Sequence, residues 1–184
     1  MTSIRVISGK YGGRIIAAPP ESNTRTKPMG ERIRNAMFNI IGTEVQDAEV
    51  LDAFAGTGSV GFEALSRGAS HVTFIERDKV AQSIIIENMN TLDTGTSAEL
   101  IRASVNSWID TSGAHEYDII FADPPYSDLQ LSTVSRLMGL LKPNGLMVLS
   151  HTGRGEVPNL ENGIVVVDNR SYGNANLTFF RREV

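Results

Sequence analysis

The chain is 184 residues long, 41% hydrophobic and 21% charged, with a net charge of −4 and no cysteine. That length suits one domain with a full core and the composition is that of a globular protein; disulfides, cysteine zinc sites and cysteine nucleophiles are excluded, and no apolar run approaches the ~20 residues of a membrane span. The charge is uneven: within residues 1–38, Arg5, Lys10, Arg14, Arg25, Lys27, Arg32 and Arg34 stand against Glu21 and Glu31, a net +5 that leaves −9 for the remainder.

A basic arm on an acidic body is the electrostatic footprint of a polyanion binder; the rival reading is an ordinary solvated surface. Met1-Thr2-Ser3-Ile4-Arg5 carries no signal-peptide apolar core, so a cytoplasmic protein with no membrane attachment is expected. Arg5 to Ser8 and Arg14 to Ala17 read as a hairpin turning on Gly9, Gly12 and Gly13, and Pro19-Pro20 ends its second strand. Residues 21–29 are a polar loop. From Gly30 to Ile41, apolar Ile33, Met37, Ile40 and Ile41 recur at helical spacing, with Gly42 as the cap. Arg32 and Arg34 would lie about 200° apart on that helix, so they cannot share a face.

From residue 49 strand and helix patterns alternate. Strands are expected at 49–54, 71–76, 98–103, 117–122, 145–150, 163–168 and 176–182, and helices at 58–67, 78–92, 105–110 and 128–141. This is the pattern of an α/β doubly wound fold: a mostly parallel, seven-stranded, Rossmann-like sheet that binds ligands at the carboxyl ends of its strands. Only Ser171 to Ala175 separates the last two strands, which implies a closing antiparallel hairpin. Residues 1–184 are read as a single domain, a basic hairpin-and-helix extension over 1–45 on a catalytic core over 46–184. His71, His115 and His151 lack ligand spacing, and no metal is expected.

Val50 to Phe54 is a buried-strand run, followed by the turn Gly56-x-Gly58-x-x-Gly61 that opens a helix. Such a unit offers backbone N–H groups to a ligand, and Glu76 stands where a carboxylate meets ribose hydroxyls. Asp52 beside the turn would repel a pyrophosphate but suits an ammonium group. The pair selects S-adenosylmethionine over a dinucleotide, the rival being a tight turn with no ligand. Asp52, Phe54, Gly56, Thr57, Gly58, Glu76, Arg77, Ser104 and Val105 form the candidate cofactor set.

A second strand run, Tyr117 to Ala122, delivers Asp123-Pro124-Pro125-Tyr126 to the same crevice. The prolines offer no N–H and fix the backbone, so local carbonyls and the Asp123 carboxylate are free to accept hydrogen bonds. Tyr126 adds a flat aromatic face. Acceptors beside a plate suit a planar heterocycle with an exocyclic amine; the rival is a rigid turn with a core tyrosine.

Asp123-Pro124-Pro125-Tyr126 resembles the (Asn/Asp)-Pro-Pro-(Tyr/Phe) motif of methyltransferases that act on exocyclic amines of nucleic-acid bases. With Val6 to Arg14, Arg25 to Pro28, Glu31 to Asn39, the Asp52 turn, Tyr172-Gly173-Asn174 and Leu177 to Arg182, essentially the whole chain resembles one bacterial family. It is the 16S ribosomal RNA guanine-N2 methyltransferase family (RsmD-like). The resemblance implies an S-adenosylmethionine-dependent methyltransferase fold and a monomeric enzyme. Its partner would be 16S rRNA or the small ribosomal subunit. Catalysis would fall to Asp123, Pro124, Pro125 and Tyr126, and RNA contacts to Arg5, Lys10, Arg14, Arg25, Lys27, Arg32 and Arg34. Two positions depart from the pattern. Ser104 stands where many such enzymes place an aspartate for the adenine amine, and Met29-Gly30-Glu31-Arg32 lacks a threonine hydroxyl often found there. Rival functions are a DNA adenine-N6 methyltransferase, a catalytically idle RNA-binding protein and a nicotinamide-dependent oxidoreductase.

Overall fold

The computed structural model describes residues 3–20, 28–153, 158–160 and 163–184. Strands β1 (Ser3–Arg5) and β2 (Ile15–Ala17) make an antiparallel hairpin, and helix α1 (Glu31–Ile41) follows. The body then alternates through β3 (Glu49–Asp52), α2 (Ser59–Ser66), β4 (His71–Ile75), α3 (Lys79–Leu92), β5 (Ala98–Ile101), α4 (Val105–Ile109), β6 (Tyr117–Ala122) and α5 (Leu131–Met138). It ends on β7 (Leu141–His151), β8 (Ile164–Tyr172) and β9 (Ala175–Arg182). The sheet runs β5-β4-β3-β6-β7-β9-β8. Its first five strands are parallel, and β9 inserts antiparallel between β7 and β8. The seven-stranded, mostly parallel sheet with an antiparallel closing hairpin is thus as expected.

Side chains that alternate along each strand separate into two apolar layers. On β6, Ile119 and Phe121 face α1, α2 and α3, while Ile120 and Ala122 face α4 and α5. The strand order reverses between β3 and β6, which pair directly with Asp52 opposite Phe121. The two chemical motifs therefore leave the sheet side by side. No helix among the described residues is long and apolar enough to cross a membrane.

The arm is built into the core. Ile4, Val6, Tyr11 and Ile16 belong to the same buried cluster as Val50, Phe62 and Phe74. The first hairpin strand sits earlier than expected, while the second lies within the expected Arg14 to Ala17; Ile7 and Ser8 leave the ladder to donate their N–H groups to Glu63 of α2, at 2.8 and 3.2 Å. Ser66 accepts from Tyr11 N at 2.8 Å and donates to the Ser8 carbonyl. Gly9, at φ +88°, lies so close to α2 that a Cβ would fall 1.8 Å from the Ser66 carbonyl oxygen. Asn88 of α3 completes the clasp. Its amide brackets Ala17 with an N–H···O bond of 2.7 Å and an amide-to-carbonyl bond of 3.0 Å, and also reaches the Thr57 carbonyl at 3.2 Å.

Helix α1 buries Arg34, Met37, Phe38 and Ile41, a stripe turned by one residue from the expected face. Arg34 is 1% exposed and donates to the carbonyls of Met29 (3.1 Å) and Arg5 (2.6 Å), with Glu63 at 3.5 Å. The expectation that it contacts RNA is corrected: its guanidinium is spent on the protein interior and has no face open to a phosphate.

Candidate active site

β3 ends at Asp52, whose carboxylate is 2% exposed and accepts one hydrogen bond, from Gly61 N at 2.9 Å. The chain turns through Gly56 (φ +57°) and Gly58 (φ +81°) into α2. A Cβ on Gly61 would fall 2.3 Å from the Phe74 ring and one on Gly58 2.5 Å from Phe62, so these glycines let the helix lie flat on the sheet. From the end of β4, Glu76 reaches across and accepts from Gly56 N at 2.7 Å and Asp78 N at 2.8 Å, setting the shape of the turn.

Two adjoining cavities open at this edge. One, of about 710 Å³, is lined by Glu76, Arg77, Asp78, Ser104, Val105 and Gln130 among others. The second, of about 630 Å³, lies between α1 and the β8–β9 turn and includes Asp52, Thr57, Ile33, Met37, Tyr172 and Asn174. Phe54, Asp123, Pro125 and Ser127 belong to both walls. Asp123 is therefore the ionisable group at the passage between them, with Ser127 beside it on both walls.

The candidate cofactor residues divide accordingly. Phe54, Glu76, Arg77, Ser104 and Val105 line the larger cavity, Asp52 and Thr57 line the smaller, and Gly56 and Gly58 shape the turn. Ser104 caps α4 by accepting from Ser107 N at 3.2 Å, a local reason for a serine there. Asp123, Pro124, Pro125 and Tyr126 all line the smaller cavity. Burial pushes the Asp123 carboxyl up to about 6, against the opposing pull of a hydrogen bond from Ser150. Burial also holds Asp52 well above the usual carboxylate range; the Gly61 hydrogen bond opposes that, and the nearby charges of Asp123 and Glu76 add to it.

The expected RNA residues are scattered. Arg5 is tied to Glu31, Lys10 lies 5.2 Å from the Tyr11 ring centre, and Arg14 donates to the Thr91 carbonyl at 2.6 Å. Arg32 is exposed, with no ion pair among the described residues. Arg25 and Lys27 lie outside the described residues. No group of three or more His, Cys, Asp or Glu side chains that could hold a metal occurs among the described residues.

Sequence reasoning missed Ser150, which is 4% exposed and bonds the Tyr126 hydroxyl at 2.8 Å. Its signal was positional: a polar residue closing the apolar run Leu146 to Leu149, on the strand beside β6. It also did not single out Met29, Ile33 and Met37, which line the smaller cavity.

A family model described as conserved hypothetical protein 95 matches residues 4–181. Ribosomal RNA small subunit methyltransferase D of Escherichia coli K12 is 34% identical over 142 residues, covering 77% of this chain and 68% of that protein. The same-named protein of Haemophilus influenzae is 36% identical over 149 residues, covering 78% and 76%. Among solved structures, yhhF of Escherichia coli matches with a TM-score of 0.86 at 28% identity, over 98% of each chain. A match of this extent, together with a crevice where Asp52, Glu76 and Asp123 converge, establishes that the chain belongs to the RsmD family of S-adenosylmethionine-dependent, rRNA-modifying methyltransferases.

Proposed function

We propose that this chain methylates the exocyclic N2 of a guanine in 16S rRNA, with S-adenosylmethionine as the donor. The observation that carries the reading is the position of Asp123 on the wall common to both cavities. The residues fit the donor. Glu76 offers a carboxylate at the ribose position in the larger cavity, and the negative charges of Asp123 and Glu76 beside buried Asp52 favour a ligand bearing sulfonium and ammonium charges. When bound, the donor supplies an electrophilic methyl group.

The remaining chemistry belongs to the chain. A guanine amine is a poor nucleophile because its lone pair is delocalised into the ring. Asp123 and the Pro124 carbonyl accept its two N–H bonds, which pyramidalises the nitrogen and frees the lone pair. A carboxyl titrating near 6 is ionised at neutral pH and can also take up the proton the amine sheds. Tyr126 stacks on the base, worth roughly 1–3 kcal/mol, and the base must be unpaired or flipped to enter. Positioning of this kind can supply several kcal/mol, up to about 7–11 in ideal cases.

The test offers tritiated S-adenosylmethionine with naked 16S rRNA, assembled small subunits and duplex DNA in parallel, followed by nucleoside analysis. Label in N2-methylguanosine from rRNA is expected. Label in N6-methyladenine from DNA, or none in any substrate, would overturn the proposal.

A further inference from the structure

Ser150 lies on β7 one residue beyond Leu149, which pairs with Ala122 at the end of β6, so it stands next to Asp123, the residue after Ala122. Its opposite neighbour is the buried Leu177 on β9. The hydroxyl is withdrawn from solvent, and the Tyr126 hydroxyl lies 2.8 Å away. The Asp123 carboxyl is its neighbour across the β6–β7 pair, and the Ser150 hydroxyl eases the ionisation of that buried group. A hydroxyl has a single proton to give and lone pairs to receive others, whereas an ionised carboxylate can only receive. With Asp123 ionised, a Ser150 proton turned toward the carboxylate leaves the hydroxyl's lone pairs to receive the proton of Tyr126. Tyr126, 42% exposed, is held by its hydroxyl at Ser150.

We propose that Ser150 is a positioning residue for methyl transfer, holding Asp123 and Tyr126 through the path Tyr126–Ser150–Asp123 in the arrangement the target amine requires. The inference rests on the reading above that these two residues receive the base. It gives the serine two tasks that an apolar side chain of similar size could not perform. It keeps the carboxylate turned toward the passage between the cavities, and it orients the aromatic plate across from it.

The other titratable groups around the carboxylate are Asp52 from β3, Tyr126 from its own loop and, beyond Asp52, Glu76 from β4. His151, the next residue on β7, is engaged elsewhere: its ring bonds Thr178 at 2.8 Å and accepts from Gly153 N at 3.0 Å. Ser150 is thus the neutral donor in a cluster of acids. Losing its proton should make the carboxylate harder to ionise.

The test compares wild type with Ser150→Ala, Ser150→Thr and Tyr126→Phe. The Asp123 carboxyl is followed by carbon-13 NMR in the free protein, and single-turnover transfer is measured against pH. Ser150→Ala is expected to move the Asp123 titration upward by about half a unit or more. It should carry the acid limb of the rate profile with it and lower the plateau rate ~10-fold, with KM for RNA and donor within ~3-fold. Ser150→Thr, which keeps the hydroxyl, should return both. Tyr126→Phe should lower the rate while leaving the carboxyl titration close to wild type.

A Ser150→Ala protein whose Asp123 titrates as in wild type would overturn the proposal. So would an acid limb that stays put while the rate falls equally at every pH, which is what loss of packing alone would produce. The NMR titration needs no substrate. If wild type transferred no methyl group to any RNA, the functional reading would fail, and the carboxyl shift would still decide whether Ser150 governs Asp123.

Discussion

Glu63 and Asp52 are both carboxylates withdrawn from water against helix α2, 0% and 2% exposed, and the protein treats them in opposite ways. Glu63 is surrounded by donors: Ile7 N, Ser8 N and Arg67 Nε, with the Arg34 guanidinium alongside. Among the described residues Asp52 receives only Gly61 N, and it faces two further acids. The first arrangement is closed and joins arm to body. The second leaves acceptor capacity pointing into a cavity, at a cost in folding that a cationic ligand can offset. A buried charge with its partners present marks structure; one without them marks the place where something binds.

The comparison can be broken most violently at Glu63. Glu63→Ala strands Arg34 and two backbone donors in the interior, and urea unfolding should register a loss of about 3–5 kcal/mol. At the crevice the expected damage is to rate. Asp123→Ala should fold and bind S-adenosylmethionine nearly as wild type while single-turnover transfer falls about 10²-fold, comparable to losing one preorganised polar contact at a reacting centre. A rate within threefold of wild type would remove Asp123 from the chemistry.

Glu76→Ala should weaken S-adenosylmethionine by at least about 1.5 kcal/mol in calorimetry, since it removes hydrogen bonds to a charged acceptor. Unchanged affinity would mean that Glu76 serves only to shape the turn through Gly56 and Asp78.

The two settings also differ in their response to pH. Asp52 and Asp123 have raised values, so the folded protein holds their protons more tightly than the unfolded chain does. Their contribution to stability is present below the ordinary carboxylate range and is lost as pH rises through the raised values, toward about 6 for Asp123. Asp123→Asn should flatten that part of a stability-versus-pH curve and abolish the acid limb of the rate profile near 6.

The smallest effect is expected on the arm's outer face. Lys10→Ala combined with Arg14→Ala should reduce the salt slope of RNA binding by up to about 1.4, from roughly 0.7 per phosphate contact on single strands. S-adenosylmethionine affinity should stay unchanged. An unaltered slope would assign the RNA grip elsewhere.

The parts legible in the chain were those with local signals. The strand–turn–helix at Asp52 and the Asp123 loop declare themselves by short spacing, and the mostly parallel sheet follows from alternation, though not the order of its strands. What stayed hidden depends on partners distant in sequence. Arg34 sits i−3 and i−4 from Met37 and Phe38, exactly in register with the buried stripe, yet a lone arginine reads as solvated until Glu63, 29 positions on, is seen beside it. Ile7 and Ser8 read as strand until the same carboxylate is seen to take their N–H groups. Ser150 looked like a strand terminus because its meaning comes from Tyr126, on a different strand's loop.

The clasp that seats the arm also sets an order of events during synthesis. Ile7 and Tyr11 leave the ribosome early, but their hydrogen-bond partners lie 56 and 55 residues downstream, and those of Ala17 and Arg14 lie 71 and 77 residues downstream. Contacts of such separation close late, because the loop entropy must be met before they form. Until Asn88 and Thr91 emerge, the hydrogen bonds that seat Ala17 and Arg14 cannot form. The first segment to be made is therefore among the last to be fastened, and a nascent chain stalled before the end of α3 would carry an N-terminal arm whose clasp is still open.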